Sequence, residues 1–199
     1  AVPSCIAARA ALLTGQSQKT HGRIGYRDHV TWNYPNTLPG VLAGAGYHTH
    51  CVGKMHVHPV RNLMGFHSVD LHDGYVHAAR NSNKNYLLCD DYIMHLRNKY
   101  GSDADLTDVG LGCNGYSVNP WVYDDVDHPM HWVTTKSIDF LRRRDTSKPF
   151  FLKTSYHRPH PPFDPPKTYL ERYLNRDLAP IKMGNWSKDN PIGERGPDC

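Results

Sequence analysis

The stretch GYHTHCVGKMHVHP, residues 46–59, is where the reading of the fold begins. Gly46 stops a short helix read over Thr37 to Ala45, in which Leu38, Val41 and Leu42 are placed inward. Tyr47 to Val52 then reads as a strand, followed by a polar loop, Gly53 to Pro59. The same order recurs downstream. His131 to Arg144 reads as a helix, with Trp132, Thr135 and Asp139 on different faces from Val133, Ser137, Phe140 and Leu141. PFFLKTS, residues 149–155, reads as a buried strand, and the proline-rich loop HRPHPPFDPP, residues 157–166, follows it. Helices alternating with apolar strands predict an α/β fold with a largely parallel sheet flanked by helices. Ligands of such sheets bind beyond the carboxyl ends of the strands, where both polar loops fall.

The bulk properties narrow the classes. The chain has 199 residues, 39% of them hydrophobic, five cysteines and 14 histidines, with a formal charge of +4. The mean hydropathy is −0.63. No apolar run approaches the roughly 18 residues of a membrane span, so no membrane partner is expected. Basic residues are scattered except at Arg142-Arg143-Arg144, which reads as a solvated helix end rather than a nucleic-acid patch. Cys5, Cys51, Cys89, Cys113 and Cys199 are widely spaced and include no CxxC, so neither a zinc ribbon nor a disulfide framework is expected. They lean the compartment toward the bacterial cytoplasm over the periplasm. Asn185-Trp186-Ser187 is a glycosylation triplet with meaning only in a secreted eukaryotic protein. Residues 60–127 give a weaker pattern: Leu88 to Tyr100 reads as a helix and the rest as loop. Asp103, Asp105 and Asp108 lack the glycine and glutamate of a calcium loop.

Three stretches carry chemistry. In PSCIAARAALLTG, residues 3–15, Cys5 stands at the head of a helix whose apolar stripe is Ile6, Ala10 and Leu13, ended by Thr14-Gly15. A helix N-terminus is an anion site, and Arg9 at i+4 lies on the same face and can reach back. Equally, Cys5 could be structural and Arg9 a surface ion-pair partner. Lys54 and His56 alternate after a strand, so an ammonium and an imidazole project together, with His58 competing for the role of His56. The plain alternative is a polar loop. In His157-Arg158-Pro159-His160-Pro161-Pro162, flanking prolines stiffen a loop that could bind an anion or give up a proton, or could be a rigid surface turn. Together the three point to an anionic ester cradled by cations, with a nucleophile at a helix start.

At these residues the chain resembles the sulfatase family. Cys5 to Gly15 is similar to the signature C-x-(P/A)-x-R followed by L-T-G, in its C-x-A-x-R form. Gly46-Tyr47-His48-Thr49 through Gly53-Lys54-Met55-His56 resembles the second segment, with Met55 where tryptophan is usual. Phe150-Phe151-Leu152 through Pro161-Pro162 resembles the third. The resemblance implies an alkaline-phosphatase-like fold. It also implies a sulfuric ester hydrolase, arylsulfatase-like, in which a maturase oxidises Cys5 to formylglycine, whose hydrate attacks a small-molecule or saccharide sulfate ester. Arg9 and Lys54 would steady the charge, His160 would serve the leaving alcohol, and His56 would take a proton so that sulfate is expelled. The family also binds a divalent cation, usually calcium, on which the modified Cys5 would place an oxygen. The carboxylate ligands of that cation and a second lysine match nothing here. The chain is therefore expected to be part of a single catalytic domain, residues 1–199, with a loop-rich insertion at about 60–127. Its first strand and C-terminal portion are missing on this reading, and alone it is expected to be inactive.

Two rivals follow from the same residues. Phosphonate monoester and phosphodiester hydrolases share the modified cysteine and the His160-Pro161-Pro162 loop. A non-catalytic anion- or metal-binding protein could use His48, His50, His56 and His58. Arg61, His72, Asp73 and Trp121 are expected to shape the choice of ester.

Overall fold

The computed structural model describes residues 3–74, 88–112, 115–180 and 182–185. Its centre is a three-stranded parallel sheet in the order β2-β1-β3, formed by β1 (His48–Gly53), β2 (Ser68–Leu71) and β3 (Phe150–Ser155). The expected α/β class and parallel strands are present. Alternation along β1 sends Cys51 to one face and Val52 to the other, and a separate apolar cluster covers each.

On the Cys51 face lies α1 (Cys5–Thr14), which buries Ile6, Ala7, Ala10 and Leu13. Gly15, at φ +68°, ends it by donating its N–H to the Ala11 carbonyl. The short α2 (Gln18–His21) and α3 (Leu38–Gly44) follow. On the Val52 face lie α4 (Asp91–Tyr100) and α5 (Pro129–Arg143), which bury Tyr92, Ile93, Leu96, Trp132 and Val133. The last helix, α6 (Lys167–Leu174), buries none of its residues.

Several sequence expectations need correction. Leu38 and Val41 of α3 are exposed at 40% and 61%, and the buried residue of that helix is Pro39. Trp132 and Val133 share the buried side of α5, because neighbours about 100° apart both fall within a wide apolar face. β3 is only half-buried: it is the sheet's edge on that side among the described residues, and Phe150 is 39% exposed. Residues 60–127, read as loop-rich, supply β2, in which Val69 and Leu71 alternate with the more exposed Ser68 and Asp70. Asp105 and Asp108 form a capping box on the 3₁₀ turn Leu106–Val109. Arg142 and Arg143 lie in the last turn of α5, where they complement its dipole. Cys113, Cys199, Trp186 and Ser187 lie outside the described residues. No helix among the described residues is long and apolar enough to cross a membrane.

Gly53 ends β1 at φ +93°, and a Cβ there would lie 2.0 Å from the Ser155 carbonyl oxygen. Only glycine lets β1 and β3 stay this close as β1 turns into the loop carrying Lys54.

Candidate active site

The carboxyl ends of β1 and β3 and the start of α1 meet at one place. Cys5 is the first residue of α1 and half-buried. The preceding Ser4 gives α1 no side-chain cap, and its buried hydroxyl has no partner. The amino end of α1 thus keeps its N–H groups for another acceptor. Arg9, one turn on, does not bond Cys5. Its Nη1 donates to the Lys54 carbonyl at 2.7 Å and to Ser155 Oγ at 3.1 Å, tying α1 to the ends of β1 and β3. Burial pushes the guanidinium pKa down, opposed by the nearby Asp73, Cys5 and Cys51.

Lys54 and His56 are both buried, and Met55 between them, 1% exposed, packs into the core beneath α1. Lys54 is 3% exposed, and no described residue accepts a hydrogen bond from its ammonium. Burial, then the charge of Arg9, lowers its pKa to about 8. His56 is buried at φ +54°, with both ring nitrogens unpartnered. Burial, then the Lys54 ammonium, lowers its pKa to about 3, so the ring is neutral. His58 does not compete. It packs edge-on against His29 at 5.5 Å, and its carbonyl accepts the Trp32 N–H. His48 and His50 point away toward Phe140 of α5.

The loop after β3 is braced from within. Arg158 forks onto the carboxylate of Asp164, its Nε at 2.5 Å from Oδ1, and its Nη1 lies 2.5 Å from His157 Nδ1. His157 is buried with Nε2 unpartnered, and burial holds its pKa well below the usual value. His160 is half-buried, its ring 4.9 Å from that of His157, and its Nδ1 donates to the Pro161 carbonyl at 2.8 Å. Burial lowers the His160 pKa; the bond to Pro161 opposes the shift, while the charges of Lys54, Arg158 and Arg9 add to it.

Two residues escaped the sequence reading of this site. Lys153, a charge inside an apolar strand, donates to the Lys54 carbonyl at 3.0 Å and lies 3.9 Å from Cys51 Sγ. Burial lowers its pKa and raises that of Cys51 to about 11. Asp73, expected only to shape substrate choice, accepts the N–H groups of Met55 and His56 on Oδ1 at 2.7 and 2.9 Å. Arg61, His72 and Trp121 are part of the framework. Arg61 bonds the carbonyls of Cys89 and Val69 and the Asp91 carboxylate, His72 is fully buried beside Tyr92, and Trp121 sits in the core.

Arg9, Lys54 and Lys153 thus bring three basic groups to the buried end of the sheet around Asp73, a surplus of positive charge suited to an oxyanion. Among the described residues no three His, Cys, Asp or Glu side chains gather as they would around a metal ion.

Comparison with known proteins gives a consistent picture. The sequence model of the Sulfatase family matches residues 1–179. An arylsulfatase of Clostridium perfringens is 54% identical across the whole of this chain, which spans 42% of that protein's length. Among solved structures, the phosphonate monoester hydrolase of Agrobacterium radiobacter superposes with a TM-score of 0.59 at 20% identity, covering 82% of this chain and 33% of that one. BT4656, solved in complex with its substrate D-glucosamine-2-N,6-O-disulfate, gives 0.52 at 22% identity over 86% of this chain and 28% of that one.

Proposed function

Because the chain belongs to the sulfatase family, we propose that it forms part of a longer catalytic domain that hydrolyses a sulfate monoester, arylsulfatase-like, with residue 5 as the nucleophile. The observation that carries the reading is the convergence of the α1 amino end with Arg9 and the buried ammonium of Lys54, which donates to none of the described residues. Residue 5, oxidised by a maturase from cysteine to formylglycine, would supply a hydrated aldehyde whose second hydroxyl gives sulfate a way out. The rest falls to groups that keep their own chemistry. Lys54 offers a point charge to a sulfate oxygen, and Arg9 fixes the Lys54 peptide and adds positive potential behind Cys5. His56, neutral and without a ring partner, takes the proton released when sulfate is expelled. His160 faces the leaving oxygen.

The divalent cation of the family, calcium by resemblance, does not fit the residues present. No three potential ligands cluster among the described residues, and the groups nearest Cys5 include the cationic Arg9 and Lys54. Residues 1–199 alone are therefore proposed not to turn over. The substrate class is a small-molecule or saccharide sulfate ester. The free, buried thiol of Cys51 favours the bacterial cytoplasm over the periplasm.

The test is made on the full-length protein carrying this sequence, expressed with a maturase. Mass spectrometry of the tryptic peptide ending at Arg9 should show residue 5 as the aldehyde, and Cys5→Ser should abolish sulfate-ester turnover. An intact thiol, or activity retained in Cys5→Ser, rejects the mechanism. A phosphodiester turned over in preference to an aryl sulfate moves the enzyme to the phosphonate monoester hydrolase class.

A further inference from the structure

We infer that Asp73 is a positioning residue of this reaction, its carboxylate clamping the backbone of the loop after β1 so that His56 is held toward the reacting group. The inference rests on the sulfatase reading above. Pairing within β1 ends at Gly53, and the Lys54 N–H is still taken by the Ser155 carbonyl at 2.8 Å. The next two N–H groups, of Met55 and His56, are buried and lie beyond the strand. Both go to Asp73 Oδ1. Without an acceptor there, two adjacent buried donors would be orphaned.

The register explains why Asp73 is the residue that reaches. Gly53 is level with Leu71 in the parallel β1–β2 pair, so two residues further along each chain Asp73 stands level with Met55. Asp73 is itself pinned. Its N–H donates to Asp90 Oδ2 at 3.0 Å, while Asp90 Oδ1 accepts the N–H groups of Tyr92 and Ile93 at the start of α4. A line of carboxylate-to-backbone bonds therefore runs from α4 through Asp73 to the His56 peptide.

His56 needs such a hold. Its φ of +54° is unfavourable for a residue with a side chain, and its ring nitrogens make no hydrogen bond that would fix the imidazole. With nothing grasping the ring, its direction is set by its backbone and by packing. A misplacement of about 1 Å at a reacting centre can lower a rate about 100-fold.

The experiment measures hydrolysis of 4-nitrophenyl sulfate by the matured full-length protein and its Asp73→Ala, Asp73→Asn and His56→Ala variants. Asp73→Ala should lower kcat by about 100-fold with KM changed less than about threefold, the pattern of a displaced catalytic group. Asp73→Asn keeps a carbonyl oxygen for both N–H groups and should stay within about tenfold of wild type. In a His56→Ala background, Asp73→Ala should cost less than about threefold more, because it acts through His56. An alanine variant that folds and keeps its kcat overturns the inference, as does full additivity with His56→Ala. If the alanine variant does not fold, the asparagine variant decides: a folded Asp73→Asn that loses as much kcat as His56→Ala overturns the clamp. Absence of turnover in the wild type removes the sulfatase reading and this inference with it, whereas turnover insensitive to Asp73 removes the inference alone.

Discussion

Arg9 and Lys54, on separate elements and 45 residues apart, are joined by a 2.7 Å hydrogen bond from the guanidinium of the first to the main-chain carbonyl of the second. Lys153 donates to the same oxygen at 3.0 Å. One carbonyl thus receives two cationic donors. The signature arginine is, in this structure, first a bracket between α1 and the sheet. Its proximity to Cys5 follows from that bracket.

Replacing Arg9 should therefore weaken the fold as well as the site. The bonds to the Lys54 carbonyl and Ser155 Oγ both leave Nη1, a position that the shorter lysine side chain, with its more strongly hydrated ammonium, does not reach. Arg9→Lys is expected to lower the unfolding free energy of the full-length protein by about 2 kcal/mol, the scale of hydrogen bonds to charged groups. Urea denaturation should show a lower midpoint at unchanged slope. An unchanged midpoint would mean that the bracket contributes nothing to stability.

The buried Lys54 ammonium predicts a pH dependence of known sign. Its folded pKa is about 8, below the unfolded value of about 10.4. Between these values the unfolded state binds more protons, so stability rises with pH across that window. Below pH 8 both states are protonated, and the folded state bears the full penalty of the buried charge. Sulfate pairs with the ammonium, so its stabilising effect should be largest below pH 8 and fade above it. Melting curves with and without sulfate over this range test both trends, and Lys54→Met should flatten them. A sulfate effect that grows above pH 8 contradicts the assignment.

How far the sequence foretold this site depends on whether the deciding contact is local. The α1 stripe and its Gly15 stop were legible because 3.6-residue periodicity and a left-handed cap are local signals. The i, i+2 alternation expected for Lys54 and His56 assumed a continuing strand, whereas the chain there is a turn with His56 at positive φ. β2 was missed because Ser68 to Leu71 offers only two apolar residues, too short a pattern to distinguish from loop. Missing β2 hid Asp73, which reaches Met55 only through the pairing of the two strands. Lys153 stood in plain view within PFFLKTS, but its contact with the Lys54 carbonyl spans 99 residues and leaves no local trace.

The Arg158–Asp164 pair should be costly to break and cheap to replace whole. The side chains are 8% and 1% exposed, so removing one leaves a buried charge without its partner. Asp164→Ala is expected to destabilise by about 3–5 kcal/mol, whereas converting both residues to apolar ones of similar size should restore much of that. Thermal unfolding of the single and double variants makes the comparison. A double variant as unstable as Asp164→Ala would show that the pair is needed for more than its own charge balance.

His160 carries the last prediction, through its tautomer. The Pro161 carbonyl can only accept, so the proton of a neutral His160 ring lies on Nδ1 and the lone pair on Nε2. His160 can then give a proton to a leaving group only as the imidazolium. Burial places its pKa below the ordinary 6.5, so that form is lost as pH rises through the lowered value. His56, at about 3, stays neutral throughout. An ester whose alcohol needs protonation, such as an alkyl or sugar sulfate, should accordingly be cleaved best on the acid side. An ester with a nitrophenolate leaving group needs no such proton and should show a flatter profile. His160→Ala should cost about 100-fold or more in kcat on the first and less than tenfold on the second. Equal losses on both would make His160 a binder of the sulfate group rather than an acid.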